Sequence, residues 1–95
     1  MIASFRDAET ATIWDGRRSR RLPPNIQGSA LRKLRLINNA RRIEDLAVPF
    51  GNRLEALKGR RRGQHSIRIN DQWRICFAWP DGSPGPERVT IEDYH

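Results

Sequence analysis

Several features that would define a class of protein are scarce or missing in this chain of 95 residues. A single cysteine, Cys76, excludes a disulfide bond within the chain, and together with two histidines it cannot supply the usual ligands of a structural zinc site. No apolar run approaches the roughly 18 residues of a membrane-spanning helix. The start, Met1–Arg6, has no apolar stretch followed by a small-residue cleavage site, so we expect a cytoplasmic protein without a secretion signal.

Lysine is also scarce, although cationic residues are abundant. Of 18 cations only Lys33 and Lys58 are lysine, and the others are arginine, whose planar guanidinium matches phosphate and stacks on bases. The formal net charge is +7. Residues 17–74 hold 16 cations and 4 anions, whereas the two ends together hold 2 cations and 7 anions. This basic middle predicts a polyanionic partner such as nucleic acid; a solvated basic face without a partner is the alternative.

The first half of the chain has the period of helices. A short helix is predicted over Asp7–Trp14, with Asp7 as its N-cap and one face formed by Ala8, Ala11 and Thr12. The main helix is predicted over Ile26–Arg41 with Asn25 as its cap. Its apolar positions recur at steps of three and four, which predicts a buried face of Ile26, Ala30, Leu34 and Ile37.

In the second half of the chain, apolar and polar residues alternate with the period of β-strands. Strands are predicted over Gln64–Ile69 and Gln72–Trp79, joined by a two-residue link at 70–71 of a kind that tolerates positive φ. Shorter strands are predicted over 54–57 and Arg88–Tyr94. Helices followed by strands indicate a compact α+β domain, with the N-terminal helices packed on a small antiparallel β-sheet. The three tryptophans are expected to supply much of its core.

Alternation also brings charged side chains together. Arg68 and Arg74 are predicted neighbours on the polar face of the sheet, where they repel each other unless an anion lies over them. Spreading into solvent, or pairing with Glu92, is the alternative. The chain ends in Asp93-Tyr94-His95, which combines an acid, an aromatic ring and an imidazole that can exchange protons near neutral pH. A frayed polar end is the alternative here.

Other expected sources of chemistry are weak. The sequence has no Gly-rich phosphate loop and no nucleophile-elbow motif. His65 shares a face with Ile67 and is expected to be structural, and nothing marks Cys76, on the polar face, as a nucleophile.

Three segments carry a resemblance to a known family. They are LEALKG at 54–59, GQHSIRINDQWRI at 63–75 and the ending EDYH at 92–95. Together they resemble HigB toxins of the RelE/ParE superfamily of bacterial type II toxin–antitoxin systems. The resemblance covers essentially the whole chain and implies a single RelE-like domain at 1–95. The pairing of the Asn-Asp-Gln-Trp-Arg hairpin with the Asp-Tyr-His end is fairly specific, whereas either motif alone would be weak.

The resemblance implies a ribosome-dependent mRNA endoribonuclease, which enters the ribosomal A site, cuts translated mRNA and stops growth. It also implies neutralisation by a HigA-like antitoxin with a helix-turn-helix domain, and binding of operator DNA only through the toxin–antitoxin complex. No metal or organic cofactor is expected. Metal-free cleavage uses the 2′-hydroxyl of the RNA, and it needs a base, positive charge at the reacting phosphate and an acid for the leaving oxygen.

Matching positions imply residue roles. Arg68 and Arg74 are expected to bind the phosphate and stabilise the transition state. His95 is the expected proton-transfer group, with Asp93 as its orienter or as a second proton-transfer group, and Tyr94 is expected to stack on a base or position the substrate. RNA contacts are expected from the basic turn, at Lys58, Arg60, Arg61 and Arg62.

One position departs from the family pattern. Several HigB-like toxins carry a histidine followed by Pro-Leu-Lys where this chain has Glu55-Ala56-Leu57-Lys58. Glu55 either accepts a proton as an auxiliary group, or pairs with a nearby arginine and stays inert. A scheme with two histidines as acid and base is therefore in doubt for this protein.

Other functions stay open at the level of sequence. A non-enzymatic ParE-like toxin directed at DNA gyrase shares the fold, and an RNA- or ribosome-binding module would use the basic stretch without cleavage. A DNA binder is disfavoured because only one long amphipathic helix is readable. For the antitoxin, charge favours a docking surface around Arg17–Arg42.

Overall fold

The computed structural model describes residues 1–94 and has the predicted α+β architecture. Its two helices and four strands are α1 (Ala8–Trp14), α2 (Pro24–Asn39), β1 (Glu55–Ala56), β2 (Gln64–Arg68), β3 (Trp73–Ala78) and β4 (Glu87–Asp93). Short 3-10 helices lie at Ile43–Ala47, Phe50–Asn52 and Gly59–Arg61. None of the helices among residues 1–94 has the length and apolarity needed to cross a bilayer.

Helix α1 begins as predicted, but it buries a different face. The Asp7 side chain accepts a hydrogen bond from the Thr10 backbone N–H at 3.0 Å, which confirms Asp7 as the N-cap. The buried residues are Thr10 and Ile13, so the predicted face of Ala8, Ala11 and Thr12 is wrong. The reason is tertiary: the Thr10 hydroxyl accepts a hydrogen bond from the Ile91 N–H at 2.9 Å, which fixes α1 against β4.

Helix α2 confirms the predicted buried face but not the predicted cap. The four apolar positions at steps of three and four are all buried, namely Ile26, Ala30, Leu34 and Ile37. Asn25 lies inside the helix, and Pro23 occupies the N-cap position without a side-chain hydrogen bond. Pro24 starts the helix because the fixed φ of proline suits the first turn, where its missing N–H costs nothing. The helix ends at Asn39, since Ala40 is already extended.

The strands form one antiparallel sheet in the order β1-β2-β3-β4. Arg68 and Arg74 are register partners, as predicted. The loop between them spans 69–72 rather than two residues, and neither Asn70 nor Asp71 has a positive φ. Instead the Asn70 side chain accepts hydrogen bonds from the backbone N–H groups of Gln72 and Trp73 at 2.9 and 2.8 Å, so a side chain closes the turn.

The core lies between the helices and one face of the sheet. It consists mainly of aliphatic side chains with one phenylalanine, namely Ile13, Ile26, Ala30, Leu34, Ile37, Ala40, Leu46, Ile67, Ile75, Phe77, Val89 and Ile91. The expectation that tryptophans supply much of this core is wrong, because Trp14, Trp73 and Trp79 are only half-buried at its margin. Tryptophan is too large to be enclosed fully by two helices and four short strands.

A candidate active site on the open face of the sheet

The face of the sheet opposite the core carries polar side chains, and several of them, including Ser66 and Arg74, are buried. In β3, Arg74 and Cys76 alternate with the core residues Ile75 and Phe77 and therefore point away from the core. The strand register aligns Arg68, Arg74 and Glu92 in one row across the sheet. We call this surface the open face, and its further members are Glu55, Arg61, Ser66 and Tyr94.

Arg74 is the centre of the open face. Its side chain is only 9% exposed, and its Nη2 donates a hydrogen bond to the Arg53 carbonyl at 2.7 Å. The same nitrogen lies 3.4 Å from a carboxylate oxygen of Glu55, and the guanidinium lies over the Tyr94 ring, 4.8 Å from its centroid. The Arg74 Nε is buried without a hydrogen-bond partner among residues 1–94. A buried donor of this kind is costly unless a ligand accepts from it.

Arg74, Glu55 and Tyr94 form one group, which we call the Arg74 cluster. The Tyr94 hydroxyl donates to the second carboxylate oxygen of Glu55 at a long 3.4 Å. The Tyr94 backbone N–H donates to the Gln72 carbonyl at 2.6 Å, so the chain is held in place at Tyr94 rather than frayed. Glu55 and Tyr94, from two other strand ends, therefore meet around the guanidinium of Arg74. Of the two alternatives for Glu55, pairing with an arginine is observed, while its carboxylate stays half-exposed.

The neighbouring arginine of the row has a weaker partner. Arg68 pairs with Asp71 across the β2–β3 loop, and the Asp71 side chain is almost fully exposed. An exposed ion pair contributes little to stability, so a phosphate could replace Asp71 at small cost. Neither Arg68 nor Arg74 pairs with Glu92, which was one of the alternatives.

Glu92 pairs instead with Arg61. This ion pair gives Arg61 a different role from the other cations of the basic turn. Arg61 donates to both carboxylate oxygens of Glu92, at 2.8 and 2.6 Å. The hydrogen bonds that Arg61 donates to Glu92 raise the pKa of Arg61. In contrast, Lys58, Arg60 and Arg62 are exposed. The turn thus presents three cations to solvent while the fourth anchors it to β4.

Asp93 and Tyr94 lie on opposite faces of the sheet. Asp93 is the register partner of Trp73, so it points to the face opposite Arg74 and Tyr94. Its carboxylate accepts a hydrogen bond from the Gln72 side chain at 3.1 Å. The geometry therefore does not bring Asp93 into the Arg74 cluster. His95, the expected proton-transfer group, lies outside the described residues.

The two side chains expected to be inert are both at least half-buried. Burial raises the pKa of Cys76 to about 11, so its thiol stays protonated near neutral pH and is a poor nucleophile. His65 stacks on Phe77 with ring centroids 6.0 Å apart, and burial lowers its pKa. Among residues 1–94 no group of three or more histidine, cysteine or acidic side chains is placed to hold a metal ion.

Sequence reasoning missed Arg53. Its carbonyl orients Arg74, and its φ of 47° lies in the left-handed region that non-glycine residues rarely adopt. The only sequence signal is its position just after Pro49 and Gly51, which indicates a turn but not a left-handed arginine.

Comparison with known proteins gives consistent matches. A family model described as the RelE-like toxin of the type II toxin–antitoxin system HigB matches residues 3–95. The chain is 43% identical over 83 residues to Toxin HigB-1 of Vibrio cholerae, which covers 86% of this chain and 87% of that protein. It is 34% identical over 59 residues to an uncharacterized protein of Haemophilus influenzae, covering 62% of this chain and 58% of that protein. The chain therefore belongs to the HigB-like family of RelE-like toxins from type II toxin–antitoxin systems, and these toxins are ribosome-dependent mRNA endoribonucleases.

Proposed function

We propose that this toxin cuts mRNA in the ribosomal A site with the Arg74 cluster as its phosphate-binding centre. The observation that carries the proposal is the buried guanidinium of Arg74, which is fixed on two sides and whose Nε has no hydrogen-bond partner within residues 1–94. A fixed cation in a partly water-excluded site stabilises developing negative charge more strongly than a mobile one. Arg68 lies beside it in the row and adds a second positive charge.

In the proposed reaction the substrate supplies its own nucleophile. The 2′-hydroxyl attacks the adjacent phosphorus, the bond to the 5′-oxygen breaks, and the products are a 2′,3′-cyclic phosphate and a 5′-hydroxyl. One group must take the proton from the 2′-hydroxyl and another must give a proton to the leaving oxygen. Arg68 and Arg74 bind the phosphate oxygens, but arginine stays protonated and cannot perform either transfer.

Proton transfer is assigned to the terminal residues, as the family resemblance implies, and Asp93 would have to act from the face of the sheet opposite the Arg74 cluster. His95 gives or takes a proton, and Asp93 orients it or acts as a second transfer group. Tyr94 positions a base by stacking. When the phosphate displaces Glu55 from Arg74, the released carboxylate lies beside the Tyr94 hydroxyl and becomes available as an auxiliary proton acceptor.

The exposed cations of the basic turn contact nucleic acid. Lys58, Arg60 and Arg62 are exposed to solvent and are suited to phosphates of mRNA or ribosomal RNA. Arg61 supports them by fixing the turn to Glu92. A chain of 95 residues is short for a self-contained active site, which suits completion of the site by the ribosome.

For the antitoxin partner that the family implies, the proposed docking surface lies away from the open face. A groove of about 230 Å³ is lined by residues of α1, of α2 and of the segment that follows α1, among them the apolar Ile13 and Leu31 and the basic Arg17 and Arg18. It lies largely within the Arg17–Arg42 surface that charge favours. A HigA-like helix-turn-helix antitoxin with an acidic, amphipathic segment would fit this groove, and operator DNA would then be bound through the complex in the cytoplasm.

Induced expression in cells followed by mapping of mRNA 5′-ends tests the proposed function. We expect new 5′-ends within translated regions, and their loss when the neighbouring antitoxin gene is expressed together with the toxin. Replication arrest with intact mRNA would indicate a gyrase-directed toxin instead. Ribosome binding without new ends would indicate a binding module that does not cleave.

A further inference from the structure

Phe50 is the most exposed large apolar side chain among residues 1–94, with 91% of its surface accessible. A single exposed apolar residue needs no explanation by itself. This ring, however, lines a shallow depression of about 350 Å³ together with Ala47, Arg53 and Leu54. Val48, which is 75% exposed, lies next to the depression in sequence but does not line it.

The turn that carries Phe50 is anchored from below. Asn52 is fully buried, its side-chain amide donates to the Leu46 carbonyl at 3.2 Å, and its side-chain oxygen accepts from the Lys33 ammonium. The backbone N–H of Asn52 also donates to the Pro49 carbonyl at 3.0 Å. The backbone beneath Phe50 is therefore held by buried contacts while the ring stays in solvent, so its exposure is not the result of a loosely attached loop.

One residue connects the depression with the Arg74 cluster. The Arg53 N–H donates to the Phe50 carbonyl at 3.1 Å, and the Arg53 carbonyl accepts from Arg74 at 2.7 Å. The left-handed conformation of Arg53 lets its carbonyl face Arg74 while its side chain lines the depression. Such conformations persist where the surroundings hold them, and they occur often at ligand sites.

The lining chemistry selects the kind of ligand. Arg53 is its one charged side chain, and no carboxylate is present among the lining residues. An aromatic ring next to a guanidinium suits a group that is flat, apolar on its faces and attached to a negative charge, which describes a nucleotide. An acidic segment of a protein would satisfy Arg53 as well, but continuity with the phosphate-binding Arg74 favours RNA.

We infer that the Phe50 depression is a stacking subsite for a nucleobase of single-stranded mRNA next to the cleaved phosphate. The base stacks on the Phe50 ring, Arg53 contacts the adjoining phosphate, and the Arg53 carbonyl fixes the distance to Arg74. This inference depends on the proposed function, because it assigns a neighbouring nucleotide to the same mRNA strand.

The test uses the full-length toxin, purified ribosomes and a defined mRNA under translation. Phe50→Ala is compared with Phe50→Trp, which keeps a stacking ring, and with Val48→Ala, the matched control. Loss of one stacked base lowers RNA affinity by about tenfold or more. We therefore expect Phe50→Ala to raise the toxin concentration for half-maximal cleavage about tenfold, Phe50→Trp to lose less because it keeps a stacking ring, and Val48→Ala to cut like the wild type. Equal thermal unfolding midpoints of the three variants are expected because both side chains are exposed.

Other results would overturn the inference. Wild-type cleavage by Phe50→Ala together with lost neutralisation by the antitoxin would assign the depression to that protein. An equal loss in Val48→Ala would indicate a general effect of the loop rather than stacking. These outcomes leave the proposed function intact, since the wild type still cuts; a wild type that cuts no mRNA would refute the proposed function and this subsite with it.

Discussion

The two faces of the sheet differ in how far the chain itself satisfies the side chains they carry. On the core face Ile67, Ile75 and Val89 are fully buried, and packing alone decides what fits there. On the open face Ser66 is also fully buried and Arg74 is 7% exposed, yet each has a buried polar atom without a hydrogen-bond partner among residues 1–94. The core face is complete within the chain, whereas the open face has unused donors and charges. An incomplete polar face on rigid strands is the expected form of a site that a substrate completes.

The largest effect is expected when the open face loses its terminal residues. Removing residues 93–95 takes away the expected proton-transfer group and the ring below Arg74, so mRNA cleavage should fall by about 100-fold or more and growth arrest should be relieved. Glu55→Ala should have a smaller effect than His95→Ala. Full toxicity with alanine at all three terminal positions would disprove the assignment.

The core face is tested by a stability measurement. Ile37 is fully buried, so Ile37→Ala should lower the free energy of unfolding in urea by about 2–5 kcal/mol. Leu36, its neighbour in α2, is 37% exposed, and Leu36→Ala should cost about 1 kcal/mol or less. Equal losses for the two variants would mean that α2 does not bury the face described.

Within the basic turn, substitution of Arg61 should affect stability, whereas substitution of Arg60 should affect RNA binding. Arg61→Ala breaks a bidentate ion pair with the partly buried Glu92 and should lower the free energy of unfolding by about 1 kcal/mol. Arg60→Ala should leave unfolding unchanged and instead weaken ribosome binding, with a shallower dependence on salt. The reverse pattern would assign the structural role to Arg60.

The smallest effect concerns the pH dependence of stability at His65. Burial lowers its pKa in the folded state, so the unfolded chain binds a proton more readily. Its contribution to stability is therefore present above the unfolded pKa of about 6.5 and is lost as the pH falls below that value. His65→Gln should flatten this decline in urea titrations at pH 5 to 7.5, and an unchanged slope would contradict the burial of the ring.

Local patterns were sufficient to predict part of this architecture. The helical period predicts the buried face of α2, and the capping preference of aspartate predicts the cap at Asp7. Strand alternation predicts that Arg68 and Arg74 are neighbours. Each of these patterns acts over a few residues. The ion pairs could not be predicted in the same way. Glu55 meets Arg74 because β1 adds to the far edge of β2, and Glu92 meets Arg61 because the 3-10 helix Gly59–Arg61 brings the Arg61 side chain to β4.

The buried state of Cys76 is a second consequence of tertiary contacts. Alternation correctly places it on the polar face, but the side chains of Arg61 and Glu92 lie against it, and it is fully buried. The left-handed backbone conformation of Arg53 could not be predicted either, because no sequence rule favours an arginine in that conformation. The site therefore depends on pairings between distant segments, while the scaffold depends on local periodicity.

The rate of a single round of cleavage on ribosome-bound mRNA, measured for Arg74 variants, tests the central claim most directly. With toxin in excess, Arg74→Ala should slow cleavage by about 100- to 1,000-fold without loss of ribosome binding, as expected when a fixed transition-state donor is removed. Arg74→Lys should also be slow, since lysine cannot contact the Arg53 carbonyl, the phosphate and Tyr94 at once. Arg35→Ala, an exposed arginine on α2, should cut at the wild-type rate. Cleavage by a folded Arg74→Ala variant at the wild-type rate would contradict a catalytic role for the open face.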